Sequence, residues 1–232
     1  MKSEGTDGRD PLVALFDEAE PRATKRGELL HAAGEPLSHL HLIVRGWVGR
    51  SRAAASGDTA FTGIHLAGDI PCLDGVVRDR VADDLFMLND GVVRRISVEP
   101  VREAAARDPA VAGALTRVLA METAFLREGL FAVARLSTSE RLATFMLQTF
   151  GRLVATGLIA PEQRRFAMPL TQSQLAAVTG VTPVHLNRVV QRLRREECLE
   201  LGGGFASIRD MAALKAEAQG ATEAKAGTRT AA

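Results

Sequence analysis

The chain has 232 residues, 46% of them hydrophobic and 25% charged, and its formal net charge is only +1. This composition predicts an ordinary soluble protein that can bury a core. No apolar run approaches the roughly 20 residues that cross a membrane, and the first ten residues lack the apolar segment of a secretion signal, so we expect a cytoplasmic protein without a membrane partner.

The N-terminal part is predicted to be mostly β-structure. After a polar, frayed start and a short helix at Pro11–Ala19, segments of alternating hydrophobicity broken by glycine continue to about Pro100. Such a pattern is typical of an antiparallel sandwich or barrel. The predicted strands, with the turn at Ser56–Asp58 between two of them, are Leu29–His31, His39–Val44, Trp47–Arg52, Thr59–Leu66 and Gly91–Val98.

A long helix is predicted from Asp108–Pro109 to about Arg135, because apolar residues recur there at helical spacing. They form two neighbouring stripes, one of Val111, Leu115, Val118 and Phe125 and one of Leu119, Leu126, Leu130 and Val133. Two stripes indicate two neighbours, which we take to be the chain's own barrel and the same helix of a second subunit. The alternative is a helix buried within a monomer.

Three elements of the C-terminal part are predicted from local signals. Residues 137 to about 154 form a helix, since Ser137 and Glu140 have the spacing of a capping box. Arg165–Pro169 is predicted as a short strand, and Met211–Ala218 as a last helix. Residues 219–232, rich in Ala, Thr, Gly and Lys, are predicted to be a disordered tail.

Between these elements lies a pattern of two short helices joined by a tight turn. Thr171 and Gln174 form a second capping box at the start of the first helix. Gly180 stands where the end of that helix needs a left-handed residue. Thr182 caps the next helix, and Pro183 takes its first position, where a missing N–H costs nothing.

The second helix is followed by an apolar segment, three glycines and another apolar segment, Leu199–Leu201, Gly202–Gly204 and Phe205–Ile208. This sequence predicts a two-stranded wing, and the whole pattern is that of a winged helix-turn-helix. The opposite face of the second helix suits base edges, because Arg can bind guanine O6 and N7 as a pair, and Asn or Gln can bind adenine N6 and N7. The residues expected to read bases on this ground are Asn187, Arg188 and Gln191.

The charge distribution agrees with DNA binding. Residues 137–232 contain 12 Lys and Arg against 8 Asp and Glu, and the segment from Arg164 to Arg195 contains no acidic residue. Such a basic region is expected where a protein contacts phosphates. The alternative is a solvated helix face in a packing module. The residues expected to contact DNA phosphates are Thr171, Thr182, His185, Arg164, Arg165, Arg192, Arg194 and Arg195.

The order of barrel, long helix and winged helix-turn-helix resembles the Crp–Fnr family of bacterial transcription regulators over residues 11 to about 215. The most specific segments are Leu170–Ala176 and Thr182–Arg188, with Leu42–Gly46 and Ala67–Asp69 in the barrel. The resemblance implies an α+β fold. Its expected parts are an antiparallel jelly-roll β-barrel of the cyclic-nucleotide-binding type at 11–107, a dimerisation helix at 108–136, a DNA-binding domain at 137–218 and the tail at 219–232.

The resemblance also implies a homodimer that reads a palindromic operator in double-stranded DNA and acts on RNA polymerase. By match, its base-reading positions fall on Pro183, Val184, Arg188 and Gln191. Well-known members carry Arg-Glu where this chain has Pro183–Val184, and a second Arg four residues after the Glu. Of these three residues this chain keeps only the last, as Arg188. We therefore expect a different operator, in which a methyl group of Val184 contacts a thymine methyl.

The resemblance places an effector pocket at Gly68, Asp69, Cys72 and Arg80. The cyclic-nucleotide pattern is absent there. Family members that bind cyclic nucleotides have Gly-Glu in place of Cys72–Leu73 and a hydroxyl residue after the Arg, where this chain has Val81. Three acidic residues are expected to surround Arg80 and repel a phosphate, namely Asp79, Asp83 and Asp84. We expect an effector other than a cyclic nucleotide.

Cysteine and histidine suggest no cofactor. Cys72 and Cys198 are too few for a four-thiolate zinc site or an iron–sulfur cluster. Each is expected to be a buried hydrophobe, with a redox role of Cys72 as the alternative. His39, His41 and His65 are expected to be surface or hydrogen-bonded residues, with a metal or haem site as the alternative. We predict neither a metal nor a cofactor.

The leading prediction is a sequence-specific DNA-binding transcription regulator. The alternative is a small-ligand or redox sensor module whose helix-turn-helix serves protein interaction. An enzyme is not expected, because the sequence contains no Gly-x-Ser-x-Gly, no Gly-x-x-x-x-Gly-Lys and no His-Glu-x-x-His.

Overall fold

The computed structural model describes residues 10–55, 57 and 59–220. The expected frayed start up to residue 9, positions 56 and 58 of the expected turn, and residues 221–232 of the expected tail lie outside the described part. The chain divides into two compact units, one made of the residues up to Arg52 with Thr62–Leu126, the other of Ala53–Phe61 with the residues from Arg127 onward. The bounds of the four segments expected from the resemblance stay predictions.

Seven strands of the N-terminal half form two antiparallel sheets. They are β1 (Pro21–Thr24), β2 (Leu29–His31), β3 (His39–Arg45), β4 (Val48–Ala53), β5 (Thr59–His65), β6 (Asp84–Met87) and β7 (Gly91–Ser97). The sheet orders are β1-β7-β3 and β2-β6-β4-β5, and within the described residues no ladder joins one sheet to the other. The expected jelly-roll is therefore two separate sheets and not a closed ring.

The core of the first unit is drawn from both sheets. Residues of β3, β4, β6 and β7 bury their side chains in one cluster, which includes Leu40, Leu42, Val48, Leu85 and Val93. The helix α1 (Pro11–Ala14) contributes Leu12 to it. This helix is shorter than expected, because the residues after Ala14 continue in turns with i→i−3 hydrogen bonds, such as Phe16 N–H to the Val13 carbonyl.

Three further helices belong to this part of the sequence, α2 (Gly75–Arg78), α3 (Val98–Arg107) and α4 (Pro109–Arg135). At the start of α4, Val111 and Leu115 are buried in the core, and Val118 and Leu119 pack against it. From Met121 onward the large apolar side chains of α4 are exposed. Contrary to the expectation from the sequence, α4 is long and apolar enough to cross a membrane by length and composition, with a mean hydropathy of 1.2 over its best window.

The second unit contains the C-terminal elements. They are α5 (Thr138–Ala155), β8 (Arg165–Ala167), α6 (Gln172–Thr179), α7 (Pro183–Arg195), β9 (Leu199–Gly202), β10 (Phe205–Ile208) and α8 (Met211–Ala218). The three strands form one antiparallel sheet in the order β8-β10-β9. The expected two-stranded wing thus gains a third strand from the segment that precedes α6.

Candidate nucleic-acid interface

The two helices of the helix-turn-helix begin with the caps that the sequence predicts. The Thr171 hydroxyl accepts a hydrogen bond from the Gln174 N–H at 3.1 Å, and the Gln174 side chain accepts one from the Thr171 N–H at 2.9 Å. The Thr182 hydroxyl accepts one from the His185 N–H at 3.3 Å, with Pro183 at the first position of α7. Because these caps satisfy N–H groups that would otherwise lack partners, they fix where each helix begins.

The turn between α6 and α7 is held by a residue of a third helix. Gly180 has φ 67°, in the left-handed region that favours glycine. Arg141 of α5 donates hydrogen bonds to the carbonyls of Thr179 and Gly180, each at 3.3 Å, and to the carbonyl of Leu136 at 2.9 Å. Arg141 therefore ties the turn to the start of α5.

The helix α7 has one buried and one exposed face. Leu186, Val189, Val190 and Leu193 are buried, as the helical spacing predicts. The residues expected to read bases are all exposed on the other face, namely Pro183, Val184, Asn187, Arg188 and Gln191. Within the described part of the chain, Arg188 has no ion-pair partner, while the Gln191 amide donates to the Asn187 side chain at 3.5 Å. This face is thus free to meet a ligand.

Most of the expected phosphate contacts are also exposed. Thr171, Thr182, His185, Arg164, Arg165, Arg194 and Arg195 all reach the surface. Arg164 and Arg165 lie over aromatic rings, with the guanidinium carbon 5.2 Å from the Phe150 centroid and 4.2 Å from the Phe205 centroid respectively. Such stacking orients an arginine and leaves its charge available.

Arg192 differs from the other arginines. Its side chain is half-buried and forms ion pairs with Glu217 of α8 and with Glu196, the latter at 2.9 Å. It also donates a hydrogen bond to the Ser139 hydroxyl of α5. The guanidinium is already occupied by carboxylates, so the expected phosphate contact of Arg192 does not fit its place in the structure. The sequence showed its charge but could not show its partners.

The wing contains a basic residue that the sequence reasoning missed. Arg209 follows β10 directly, is exposed, and donates to Glu200 of β9 at 2.6 Å. It lines a groove of about 580 Å³ together with Arg164, Arg165 and Phe205. The signal was present in the sequence, since a basic residue at the end of a predicted wing strand is a candidate for phosphate contact.

The four residues of the expected effector pocket have separate structural roles. Gly68 has φ 95° and donates its N–H to the Ile43 carbonyl, and the Asp69 carboxylate accepts from the Leu66 N–H at 2.8 Å. Arg80 is exposed, and its guanidinium donates to the Gly34 carbonyl at 2.7 Å. Arg80 is therefore occupied by a surface loop of its own unit.

A largely buried arginine that no sequence motif marked lies in the first unit instead. The Arg50 side chain of β4 is 12% exposed, and its Nε donates to Asp83 at 2.9 Å. Its Nη2 donates to both carboxylate oxygens of Asp74, at 3.0 and 3.1 Å. Asp83 also accepts from Arg52 at 2.7 Å and from the Thr62 hydroxyl at 2.9 Å. We call these five residues the Arg50 cluster.

The cluster corrects the expected acidic surroundings of Arg80. Asp83 is paired with Arg50 and Arg52, Asp79 is paired with Arg102, and the Asp84 carboxylate accepts from the Ala33 N–H at 2.8 Å. The three carboxylates therefore serve three different partners. The three residues are close in sequence, but their side chains do not surround Arg80 as one acidic group.

Both thiols are buried, as expected. Burial raises the pKa of Cys72 to about 12 and that of Cys198 to about 11. Because the thiolate is the reactive form, we predict that neither cysteine reacts with a disulfide reagent at pH 7 to 8 while the protein is folded. Reagent uptake would be followed with and without denaturant. Labelling of Cys72 in the folded protein would instead support the redox alternative.

The histidines of the first unit are not alike. His41 is buried, its ring lies 5.0 Å from that of His31 in an edge-on arrangement, and burial lowers its pKa to about 3. His39 is partly exposed and contacts the Ser38 hydroxyl at 2.8 Å. Among the described residues, no group of three or more His, Cys, Asp or Glu side chains has the geometry to hold a metal ion.

Residues 140–217 match the family described as the Crp-like helix-turn-helix domain. The chain is 24% identical over 205 residues to the anaerobic regulatory protein of Pasteurella multocida, covering 88% of this chain and 73% of that relative. It is also 24% identical to the fumarate and nitrate reduction regulatory protein of Vibrio cholerae, covering 88% of this chain and 80% of the relative.

Solved structures share the fold. FixK2 from Bradyrhizobium japonicum is 22% identical with a TM-score of 0.77, covering 86% of this chain and 96% of that structure. A CRP-family transcriptional regulator from Thermus thermophilus is 20% identical with a TM-score of 0.69, covering 85% of this chain and 96% of that structure. The similarity therefore extends through the sheets, α4 and the helix-turn-helix.

Proposed function

We propose that this chain, which belongs to the Crp–Fnr family of transcription regulators, is a homodimer that binds a palindromic operator in double-stranded DNA. It is a regulator and not an enzyme. The observation that carries the proposal is the face of α7. All five base-reading candidates are exposed on a helix that is capped at its start and whose other face is buried.

The chemistry of this face suits the major groove. Arg188 binds guanine O6 and N7 as a bidentate donor, and Asn187 and Gln191 pair with adenine N6 and N7. Val184 offers methyl groups to a thymine methyl, and Pro183 starts the helix close to the bases. Reading of this kind needs a helix that fits the groove, and an α-helix with short side chains at its N-terminal end does so.

Phosphate contacts hold the helix in place. Arg164, Arg165, Arg194 and Arg195 supply charge, and Thr171, Thr182 and His185 lie at the N-terminal ends of α6 and α7, where the helix dipole also favours an anion. We add Arg209 of the wing and leave out Arg192, because the Glu217 carboxylate that pairs with Arg192 is buried, whereas Glu200, which pairs with Arg209 and Arg194, is partly exposed. The proposed phosphate contacts lie in or next to β8, directly after β10 of the wing, and on or at the start of α6 and α7.

The second subunit is proposed to cover the exposed part of α4. The side chains of Met121, Phe125, Leu126, Leu130 and Val133 are exposed along this helix. We call them the α4 stripe. A monomer rarely leaves so many large apolar groups in water. Charged residues such as Glu122, Arg127 and Glu128 interrupt the apolar sequence of this helix, which favours a protein partner in the cytoplasm over a lipid bilayer.

The effector is proposed to be something other than a cyclic nucleotide. Arg80 is bonded to its own loop, and Arg50 is already neutralised by Asp74 and Asp83. A phosphate would have to displace these carboxylates. We propose no metal or cofactor, and we propose RNA polymerase as the protein on which the DNA-bound dimer acts.

Selection of bound fragments from random double-stranded DNA tests the proposal. We expect an inverted repeat whose half-sites are centred about one DNA turn apart, since a two-fold dimer presents two copies of α7. Enrichment of one unpaired half-site would contradict the dimer. Absence of any enriched sequence would contradict DNA reading and would favour the protein-interaction alternative.

We predict that Arg188→Ala relaxes the preference at one base pair of each half-site and costs roughly 1–3 kcal/mol of binding free energy, because a bidentate guanine contact is lost. Affinities would be measured for the selected operator and for each single-base variant of it. Arg194→Ala is the matched control, since it removes the same charge at an expected phosphate contact. The control should weaken all sequences alike and reduce the salt dependence by about one ion per subunit. An equal loss on all sequences with Arg188→Ala would contradict base reading.

A further inference from the structure

Three helices of the second unit meet at one buried carboxylate. The Glu217 side chain of α8 is 3% exposed, and it accepts hydrogen bonds from Arg192 of α7 and from the Ser139 hydroxyl of α5. Arg192 reaches the second oxygen of the same carboxylate at 3.4 Å and also donates to Ser139. We call these three residues the Glu217 junction.

An ion pair, and not only side-chain packing, stabilises the Glu217 junction. A buried carboxylate is strongly unfavourable unless a cation and hydrogen-bond donors compensate it. Arg192 is the compensating cation, and its side chain is 30% exposed, so the pair is only partly shielded by water. Because Glu217 cannot move toward the surface without giving up these contacts, α8 holds the guanidinium of Arg192 at a fixed position.

Arg192 is well placed to pass this restraint to the reading face. An α-helix turns 100° per residue, so Arg192 lies about 40° around α7 from Arg188, one turn further along. It is also the next residue after Gln191. Arg192 therefore lies next to the face that carries the base-reading candidates. A restraint on its side chain limits the rotation of α7 about its own axis and so fixes the direction of that face.

We propose that Glu217 is a positioning residue for operator reading: through Arg192 it fixes the rotation of α7, so that Arg188 and Gln191 meet the bases in register. This inference rests on the proposed function. Bidentate base contacts tolerate little displacement, whereas contacts with phosphates depend mainly on charge and carry no sequence information. Loss of the junction should therefore reduce discrimination between sequences more than it reduces affinity for DNA in general.

The test is the ratio of affinities for the selected operator and for random DNA, measured with the full chain at several salt concentrations. Glu217→Gln keeps the size of the side chain and removes its charge. We expect the ratio to fall at least about tenfold, the scale of one lost bidentate contact, with no decrease in affinity for random DNA. A folding defect alone would lower both affinities by the same factor and leave the ratio unchanged.

Glu196→Gln is the matched control. Glu196 also pairs with Arg192, at 2.9 Å, but its side chain is 46% exposed. Its removal should change the ratio by less than about twofold, because an exposed pair contributes little. Should Glu217→Gln not fold, Ser139→Ala removes one hydrogen bond of the junction while keeping both charges, and it should lower the ratio in the same direction.

One result would overturn the inference alone, and a second would overturn the proposed function together with it. If Glu217→Gln folds and keeps the wild-type ratio, Glu217 has no positioning role, and the proposed function stands. If the wild-type protein itself shows no preference among sequences, the proposed function fails and the positioning role fails with it.

Discussion

We expect the double variant Leu126→Glu/Leu130→Glu to be a monomer and to lose operator binding. These side chains of the α4 stripe are 55% and 72% exposed in the single chain, so the substitutions remove little packing within one subunit. In the proposed dimer they would place four carboxylates in an apolar interface. Such unpaired charges cost several kcal/mol, and we expect the dimer to weaken by at least about a thousandfold, or roughly 4 kcal/mol.

The loss of operator binding should follow from the loss of the dimer. A monomer presents one copy of α7, so it reads one half-site and loses the contribution of the other. Sedimentation velocity would measure the oligomeric state, and titration against the selected operator would measure affinity. Thermal unfolding would show that each chain still folds.

Ala120→Glu is the matched control for this prediction. Ala120 is exposed and lies about 140° around α4 from Phe125, away from the α4 stripe. Ala120→Glu introduces one carboxylate per chain, half the number in the double variant, at a position where no second subunit is proposed. This variant should remain a dimer that binds the operator. A dimer that survives both substitutions in the stripe would contradict the proposed interface.

The second large effect is expected at the Arg50 cluster. Arg50→Met should destabilise the first unit by roughly 3–5 kcal/mol, because it removes the cation that Asp74 and Asp83 share and leaves the buried Asp83 paired only with the exposed Arg52. The Asp83 side chain is only 4% exposed, so water cannot replace the lost contacts. Thermal and denaturant unfolding would measure the loss, and circular dichroism would show whether the second unit unfolds separately.

Arg52→Met is the control for Arg50→Met, because it removes the same charge from an exposed side chain and so separates the effect of burial from the effect of charge. Arg52 pairs with the same Asp83 at 2.7 Å, but its side chain is 59% exposed. Its removal should cost less than about 1 kcal/mol, since exposed ion pairs contribute little and Asp83 keeps Arg50 and Thr62. Equal losses for the two variants would show that burial does not govern this cluster.

The helix-turn-helix could be predicted because its signals are local. A capping box joins residues three positions apart, and Gly180 fixes the end of a helix by its own conformation. The buried face of α7 follows from helical spacing alone. These interactions form between residues that are close in the chain, so they can be predicted from the sequence. The predicted bounds accordingly agree closely with those of α5, α6 and α7.

The sheets of the first unit were harder to predict. The sequence reasoning missed β1, which begins with a proline and is mostly exposed, and β6, which begins within an acidic segment. Both pair with strands far along the chain, β1 with β7 and β6 with β4. Strand propensity depends on such neighbours, so weak local patterns carry little information about them.

The charged side chains show the same contrast between what local sequence specifies and what depends on residues far away in the chain. Arg80 and Arg192 have the residue type that binds phosphate, yet one is bonded to Gly34 and the other to Glu217. Arg50, which no motif marked, holds two carboxylates 24 and 33 positions away. Ion pairs of this kind depend on which side chains the fold brings together, and charge alone does not specify a partner.

By itself, the sequence determined the helix-turn-helix, the buried and the exposed face of α7 and the apolar character of α4, because caps and helical periodicity act over one or two turns. Only the tertiary structure decided which arginines are available. Arg188 has no ion-pair partner among the described residues, whereas Arg50 and Arg192 are paired with carboxylates from other elements. The physical reason is that a buried charge requires a partner within a few ångströms, and the fold of the whole chain sets those distances.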